Sequence, residues 1–249
     1  MYDVFLLIEG VSAFTVLAAA VCLGVSQRFS KSSLVLIAEL IIPIAVIIVT
    51  FGLINLLHNM SSDPEGIFAA LSLVFLPLLY AIALNALVRV PGQDHIQASP
   101  DWRFRALSFA LLITLLGFYA SPSNLGLDSF IHQDSVGFVA LSIMLVGVLA
   151  HFSGKPRLVS VYKALTPIGL LGLSGGVLMV FANLLTPTGI GPSLAFGMLS
   201  LFLALWLKVL LRILVLNGPE ANTDDSWLTL GLPFATITVI VFFALFIVP

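Results

Sequence analysis

Charged residues are scarce in this chain. Only 9% of its 249 residues are Asp, Glu, Lys or Arg, whereas 60% are hydrophobic. Globular proteins that dissolve in water carry about 25% charged residues, so this composition excludes a water-soluble surface. No hydrophilic stretch is long enough to form a soluble domain. The sequence therefore predicts an all-α integral membrane protein, surrounded by membrane lipid, whose fold and function both lie in the bilayer.

Cysteine is nearly absent too. The single cysteine, Cys22, lies in an apolar run, which excludes a disulfide framework and a cysteine metal site. The four histidines show no metal-ligand spacing, and there is neither a glycine-rich phosphate loop nor a basic nucleic-acid-binding face. Ser193 and Ser200 have no His or carboxylate on their own predicted helix to activate them. These absences predict a protein that is not an enzyme, holds no metal or cofactor and binds no nucleic acid.

Long apolar segments dominate what is present. A helix needs about 20 apolar residues to cross a bilayer. Eight segments are predicted to do so, two of them short: residues 4–25, 34–57, 67–88, 104–120, 136–152, 164–185, 190–214 and 227–248.

The basic residues predict the orientation of these segments. All ten Lys and Arg residues fall on one side of an eight-helix arrangement, as Arg28 does after the first segment and Lys155 after the fifth. Cytoplasmic loops are the ones that retain Lys and Arg. We therefore expect a multi-pass protein of the bacterial inner membrane, with both termini on the non-cytoplasmic side.

One stretch occurs twice, at residues 43–89 and 167–212. Pro43 aligns with Pro167 and Gly52 with Gly176, and the second helix of each copy ends at an arginine, Arg89 or Arg212. Each copy is predicted to be a transmembrane hairpin, because Pro and Gly end a helix and favour a reversal of the chain. The turn residues are Asn59, Pro64 and Gly66 in the first copy, and Asn183, Pro187, Gly189, Gly191 and Pro192 in the second.

The sequence predicts that the duplication extends beyond the hairpin; the alternative is that two tryptophans near membrane borders coincide by chance. Trp102, before the fourth segment, matches Trp227, before the eighth. Each half then has four helices, and an even number places the two halves parallel, related by an axis along the membrane normal. The sequence predicts two four-helix repeats, at residues 1–125 and 126–249.

The turn and the helix after it resemble the third-to-fourth transmembrane hairpin of the MotA/TolQ/ExbB proton-channel family. The second copy carries Ile190-Gly191-Pro192, and the first carries Asp63-Pro64. The resemblance implies a subunit that forms a homo- or hetero-oligomer around the single-span helix of a partner protein, whose membrane carboxylate carries the proton. This chain itself has no acidic residue near the middle of a predicted span.

Two features depart from that family. The loop at residues 26–33 replaces a large cytoplasmic domain, which argues against a torque-generating stator. Pro77 and Ser200 stand roughly where the family has threonines that line the ion path. Ser200 is therefore a candidate ion-path residue, although the path is altered.

Ionisable groups inside a bilayer are costly and mark functional candidates. Glu39 lies inside the second segment and aligns with Lys163, so the two side chains are candidates for an intramembrane pair between the repeats. The alternative is that each reaches the cytoplasmic interface independently. Lys208, which aligns with Asn85, is expected to be an interfacial anchor.

Hydroxyl groups are the other candidates. Thr50 and Ser174 occupy aligned positions. Three roles are open for their hydroxyl groups: lining an ion path, forming a hydrogen bond to another helix, or forming one to the carbonyl four residues back in their own helix. Gly172, Gly175 and Gly176 indicate close helix contact. Three other functions stay open: a structural subunit, a secondary transporter with a site at the repeat interface, and a quinone-linked membrane anchor using His58 and His132.

Overall fold

The computed structural model describes residues 2–59, 67–89, 101–120, 132–182 and 187–215. In these parts the chain is entirely helical, with seven helices and no strand. The helices are α1 (Tyr2–Ser26), α2 (Lys31–Asn59), α3 (Ile67–Arg89), α4 (Trp102–Ala120), α5 (Gln133–Phe152), α6 (Arg157–Ala182) and α7 (Pro187–Leu214).

Four of these helices contain stretches long and apolar enough to cross a membrane. The four stretches are Ser32–Leu53, Gln133–Phe152, Arg157–Val180 and Gly191–Leu214, and shorter apolar stretches lie at Ser12–Ser26 and Leu76–Val88. For the described residues, the prediction of an all-helical membrane protein is thus confirmed. The eighth predicted segment, at residues 227–248, lies outside the described residues, so the count of eight helices stays a prediction.

The observed helices match the first seven predicted segments, with differences at their polar ends. The largest difference is at α6, which begins at Arg157 and not at residue 164. Residues 157–163 are more polar than the rest of α6 but are still helical. Helix α7 begins at Pro187 rather than at residue 190, in keeping with the preference of proline for the first helical position.

The chain divides into two compact units. Unit 1 comprises Met1–Asn124 with Ile213–Asn222, and unit 2 comprises Leu125–Arg212 with Thr223–Pro249.

Helix α2 is at the centre of unit 1. Helices α1, α3 and α4 all pack against it, and Ile44, Ile47 and Ile48 are fully buried. A helix that is apolar on all sides is stable only when it is surrounded in this way or faces lipid. Burial on every side therefore makes α2 the core of this unit.

The turn between α1 and α2 is tied to the start of α4. Arg28 and Phe29 adopt left-handed backbone angles, with φ of 52° and 51°. The Arg28 side chain donates to Asp101 at 2.9 Å and lies 4.3 Å from the centre of the Phe104 ring. The Phe29 ring packs so close to Gly24 that a Cβ there would lie 2.6 Å from it. Glycine at position 24 thus allows the chain to fold back at this turn.

Unit 2 contains α5, α6 and most of α7. Helix α5 packs against α6, and Tyr162, Leu165 and Leu201 belong to the buried core. Helix α5 is the least buried of the four apolar helices, and its exposed side chains include Leu141 and Met144. Each of α6 and α7 contains an internal proline, Pro167 or Pro192.

Candidate functional site

Helices α6 and α7 meet along one narrow strip, which we call the α6–α7 seam. On α7 the strip has residues spaced three or four apart, which places them on one helix face. The two helices are antiparallel, because residue numbers rise along α6 as they fall along α7. The facing pairs are Thr166 with Lys208, Gly169 with Ala204, Gly172 with Ser200 and Gly176 with Gly197.

Glycine makes this close approach possible. A Cβ added at Gly176 would lie 2.6 Å from the Cα of Gly197 and 2.7 Å from the carbonyl oxygen of Ser193. Both are backbone atoms, which cannot turn aside as the end of a side chain can. Small residues at transmembrane helix contacts let two backbones approach closely. Gly172 and Gly176 thus confirm the close helix contact that the sequence predicts, whereas a Cβ at Gly175 would make only an ordinary contact, 3.7 Å from the Phe196 ring.

A buried ammonium group lies at one end of the seam. Lys208 is 2% exposed, and its Nζ donates a hydrogen bond to Thr166 Oγ1 at 2.7 Å. The same Nζ lies 5.2 Å from the centre of the Tyr162 ring. Tyr162 and Thr166 are one helical turn apart, so a single face of α6 supplies both contacts. A hydroxyl acceptor and the face of an aromatic ring both stabilise a desolvated cation.

The position of Lys208 corrects one expectation. An interfacial anchor extends its ammonium group toward water, whereas this side chain points into unit 2 and is buried. Its place near the end of α7 suggests an anchor but does not say which face of the helix it occupies. The signal for the face is the spacing of Ser193, Gly197, Ser200 and Lys208, which share one side of α7.

Unit 1 has a polar contact at the aligned position. Asn85, which aligns with Lys208, is 5% exposed and donates a hydrogen bond from Nδ2 to the carbonyl oxygen of Ala38. Ala38 aligns with Tyr162 in the sequence repeat. In each unit, therefore, the aligned position of the returning helix has a buried polar donor that reaches the preceding helix, although the two acceptors, Ala38 and Thr166, are not aligned.

Ser200 lies in the middle of the seam. It is fully buried, and its Oγ has no hydrogen-bond partner among the described residues. A helical serine often bonds to the carbonyl four residues back. Here that carbonyl, of Phe196, accepts a hydrogen bond from Ser135 of α5 at 3.2 Å. Ser200 instead faces Gly172, in the tight contact between α6 and α7.

The aligned hydroxyls Thr50 and Ser174 have different surroundings. Thr50 is 3% exposed, and its Oγ1 donates to the carbonyl oxygen of Val46, four residues back, at 2.8 Å. Ser174 is exposed on α6. The structure therefore does not bring the two hydroxyls into equivalent environments.

The two charged candidates lie in different units. Glu39 is partly buried in α2, within unit 1, and Lys163 is exposed on α6, within unit 2. An ion pair between them stays a prediction.

Part of the predicted turn motif is helical. Asn59 is the last residue of α2, and Pro187 is the first residue of α7. Gly189, Gly191 and Pro192 lie in the first two turns of α7, so the reversal of the chain ends earlier than predicted. Pro64, Gly66 and Asn183 lie outside the described residues.

The histidines do not gather into one site in the described structure. His132 precedes α5, and His151 lies in its last turn, where its Nδ1 is 2.8 Å from an Arg157 nitrogen. The side chain of His58 lies outside the described residues. Within the described chain, no three His, Cys, Asp or Glu side chains are placed to hold a metal ion.

Comparisons with protein-family models, with curated proteins and with solved structures find no match to this chain. The fold itself defines the class: a helical membrane protein with a tightly packed hairpin of α6 and α7. The likeness to the MotA/TolQ/ExbB family rests on the turn residues and the helix that follows them.

Proposed function

We propose that the chain is a subunit of an inner-membrane complex. Its hairpins α2–α3 and α6–α7 form a wall against which the single transmembrane helix of a partner protein packs, and a carboxylate on that helix carries a proton across the membrane. The subunit is proposed to have eight transmembrane helices in two parallel repeats, with both termini outside the cytoplasm.

One observation carries this proposal: both hairpins are fixed by a buried polar donor at an aligned position. Asn85 reaches Ala38 in unit 1, and Lys208 reaches Thr166 in unit 2. A hydrogen bond between membrane helices contributes about 0.6 kcal/mol on average, and the glycine contacts of α6 and α7 add close packing. A carboxylate that carries a proton needs helices around it whose distance from it stays constant. Two hairpins fixed by buried hydrogen bonds would provide such helices.

Copurification followed by flux measurement tests this function. The tagged protein would be purified from its own membranes, and copurifying proteins would be identified by mass spectrometry. We expect a single-span protein with a membrane Asp or Glu. The complex would then be placed in vesicles with an internal pH-sensitive dye, and a membrane potential would be imposed.

The carboxylate of the partner provides the matched control. Changing it to the amide should abolish proton entry, whereas exchanging Asp and Glu should retain part of it. Recovery of the chain alone, together with an absence of proton entry, would contradict the proposal.

A secondary transporter is the second candidate, and the prolines favour it. Pro43 and Pro167 lie inside the continuous helices α2 and α6 at aligned positions. Hydrophobic segments with proline at corresponding places in two halves often mark a transporter binding site. Thr166, which holds Lys208, directly precedes Pro167, and an ammonium group there suits an anionic substrate. Uptake of radiolabelled carboxylates by vesicles that contain this chain alone, lost in Lys208→Met, would support this candidate.

A further inference from the structure

Helix α6 has a second face, which is exposed, whereas the α6–α7 seam is buried. The residues Lys163, Pro167, Leu171, Ser174 and Leu178 are three or four positions apart, which places them along one side of the helix. All five are exposed, and Leu171 and Leu178 are 65% and 68% exposed. We call these five residues the outer face of α6.

The aligned face of α2 is covered by protein. Pro43, Ile47 and Thr50 align with Pro167, Leu171 and Ser174, and all three are buried inside unit 1. Helices α1, α3 and α4 pack against α2. In the first copy of the hairpin, this face is therefore a helix-packing surface.

The outer face of α6 combines bulky and small side chains. The Ser174 hydroxyl lies between Leu171 and Leu178, beside the partly exposed Gly175. Small and hydroxyl residues are typical of contacts between transmembrane helices.

A positive charge lies at one end of this face. Lys163 is exposed about one and a half turns into α6, where unit 1 has the acidic residue Glu39. A cation at the edge of an apolar strip selects for a partner with an opposite charge and fixes its register.

We propose that the outer face of α6 is the docking surface for the transmembrane helix of a partner protein, and that an acidic side chain of that helix pairs with Lys163. The proposal rests on the proposed function, because it assigns the single-span partner its place. Lys163 and Ser174 are about 16 Å apart along the helix axis, at 1.5 Å per residue. On the partner helix, the acidic side chain is therefore expected about 16 Å from the residue that contacts Ser174.

Site-specific photocrosslinking tests the docking surface. Leu171, Ser174 or Leu178 would be replaced, one at a time, by benzoylphenylalanine, and native membranes would be irradiated. Leu145 of α5 would be replaced in the same way as the control. We expect the three α6 positions to give one discrete adduct with the same single-span protein, crosslinked within its transmembrane segment. Mass spectrometry should find an Asp or Glu about 16 Å from the residue that is crosslinked to position 174, and position 145 should give lipid adducts.

Charge variants test the ion pair. Lys163→Glu should reduce the adduct yield about tenfold, because it places like charges together, whereas Lys163→Arg should keep the yield. Both variants should elute at the wild-type volume in detergent, since Lys163 is exposed and its replacement creates no cavity. Equal yields for Glu and Arg would overturn the ion pair.

Three other crosslinking results would overturn the docking surface: adducts with lipid alone, with a second copy of this chain, or with residues 216–249 of the same chain. The proposed function can fail separately. If the partner crosslinks to α6 but the reconstituted complex admits no protons, the docking surface stands and the function is wrong. If protons enter but α6 gives no partner adduct, the docking surface is wrong.

Discussion

At the scale of single residues, Gly176 sets how closely α6 and α7 approach. Gly176→Ala should lower the free energy of unfolding by about 1–3 kcal/mol, since the new Cβ overlaps the backbone at Gly197. Gly175→Ala is the matched control, because its Cβ would lie 3.7 Å from the Phe196 ring, an ordinary contact. Unfolding by sodium dodecyl sulfate in mixed micelles, followed by circular dichroism, measures both. Equal stability of the two variants would contradict the close contact.

The hydroxyl of Thr166 stabilises the buried Lys208 ammonium. Thr166→Val should lower the free energy of unfolding by about 1.5–3 kcal/mol, the usual contribution of a hydrogen bond to a charged group. Thr166→Ser keeps the acceptor and should restore most of that stability. The same micelle unfolding measures these variants.

The Lys208→Met variant shows how much of the effect of Thr166→Val comes from the hydrogen bond between Lys208 and Thr166. Without the charge, Thr166→Val should lose much less stability, and Lys208→Met alone should be close to neutral, because an apolar side chain of similar length needs no polar partner. If Thr166→Val loses as much in this background as in the wild type, the hydrogen bond is not what stabilises the ammonium.

Residue environments could be predicted only in part. The sequence places Thr50 and Ser174 at the same position of two copies, yet one is buried and the other exposed. Alignment reports position along a helix, whereas exposure depends on which neighbouring helices pack there. For the same reason, Lys208 is identified as a notable charge from the sequence, but its burial is not.

At the scale of helices, the length of an apolar segment predicts where a helix lies. A backbone in lipid must satisfy its own hydrogen bonds, so a long apolar run is helical. Hydropathy identifies the apolar part but not the polar turns that continue it, which is why the start of α6 at Arg157 was missed. The glycines and prolines from Pro187 to Pro192 favour a turn, yet they are helical here. Pro187 is at the first helical position, where proline loses no hydrogen bond, whereas Pro192 lies inside α7.

The alignment of the two hairpins predicts that the lysine–threonine pair of unit 2 can be built into unit 1. Asn85→Lys should destabilise the α2–α3 hairpin, because a buried ammonium needs more acceptors than the amide does, and position 42, the counterpart of Thr166, is a buried isoleucine that adds none to the Ala38 carbonyl. Adding Ile42→Thr rebuilds the pair found in unit 2. The double variant should recover about 1 kcal/mol or more of the stability lost in Asn85→Lys.

Unfolding of the single and double variants in mixed micelles measures this recovery, and Ile42→Val serves as the control without a hydroxyl. No difference between Ile42→Thr and Ile42→Val in the Asn85→Lys background would show that the two hairpins do not share one register.

At the scale of the whole molecule, the two units have diverged in their polar content. The hairpin of unit 1 has an asparagine bonded to a backbone carbonyl, whereas the hairpin of unit 2 has a lysine, a threonine and several glycines in its seam. A duplicated element that keeps its contact position but gains a charge in one copy is suited to separate roles. If the proposed function holds, we expect the second hairpin, whose helix α6 has an exposed face, to contribute more to the partner contact than the first, whose helix α2 is buried.

The number of membrane crossings decides whether the two halves are parallel. Cys22 is buried, and in a Cys22→Ala background single cysteines would be placed at Ser30, at Ser153 and after Pro249. An impermeant maleimide should reach positions 30 and 153, in the α1–α2 and α5–α6 turns, only from the cytoplasmic side, because Arg28, Lys155 and Arg157 are close to them. It should reach the added C-terminal cysteine only from the opposite side, since segment 227–248 would return the chain after α7.

If the C-terminal cysteine labels from the same side as position 153, that segment does not cross. The second half would then lack its fourth helix, and the arrangement of two parallel four-helix repeats would be wrong.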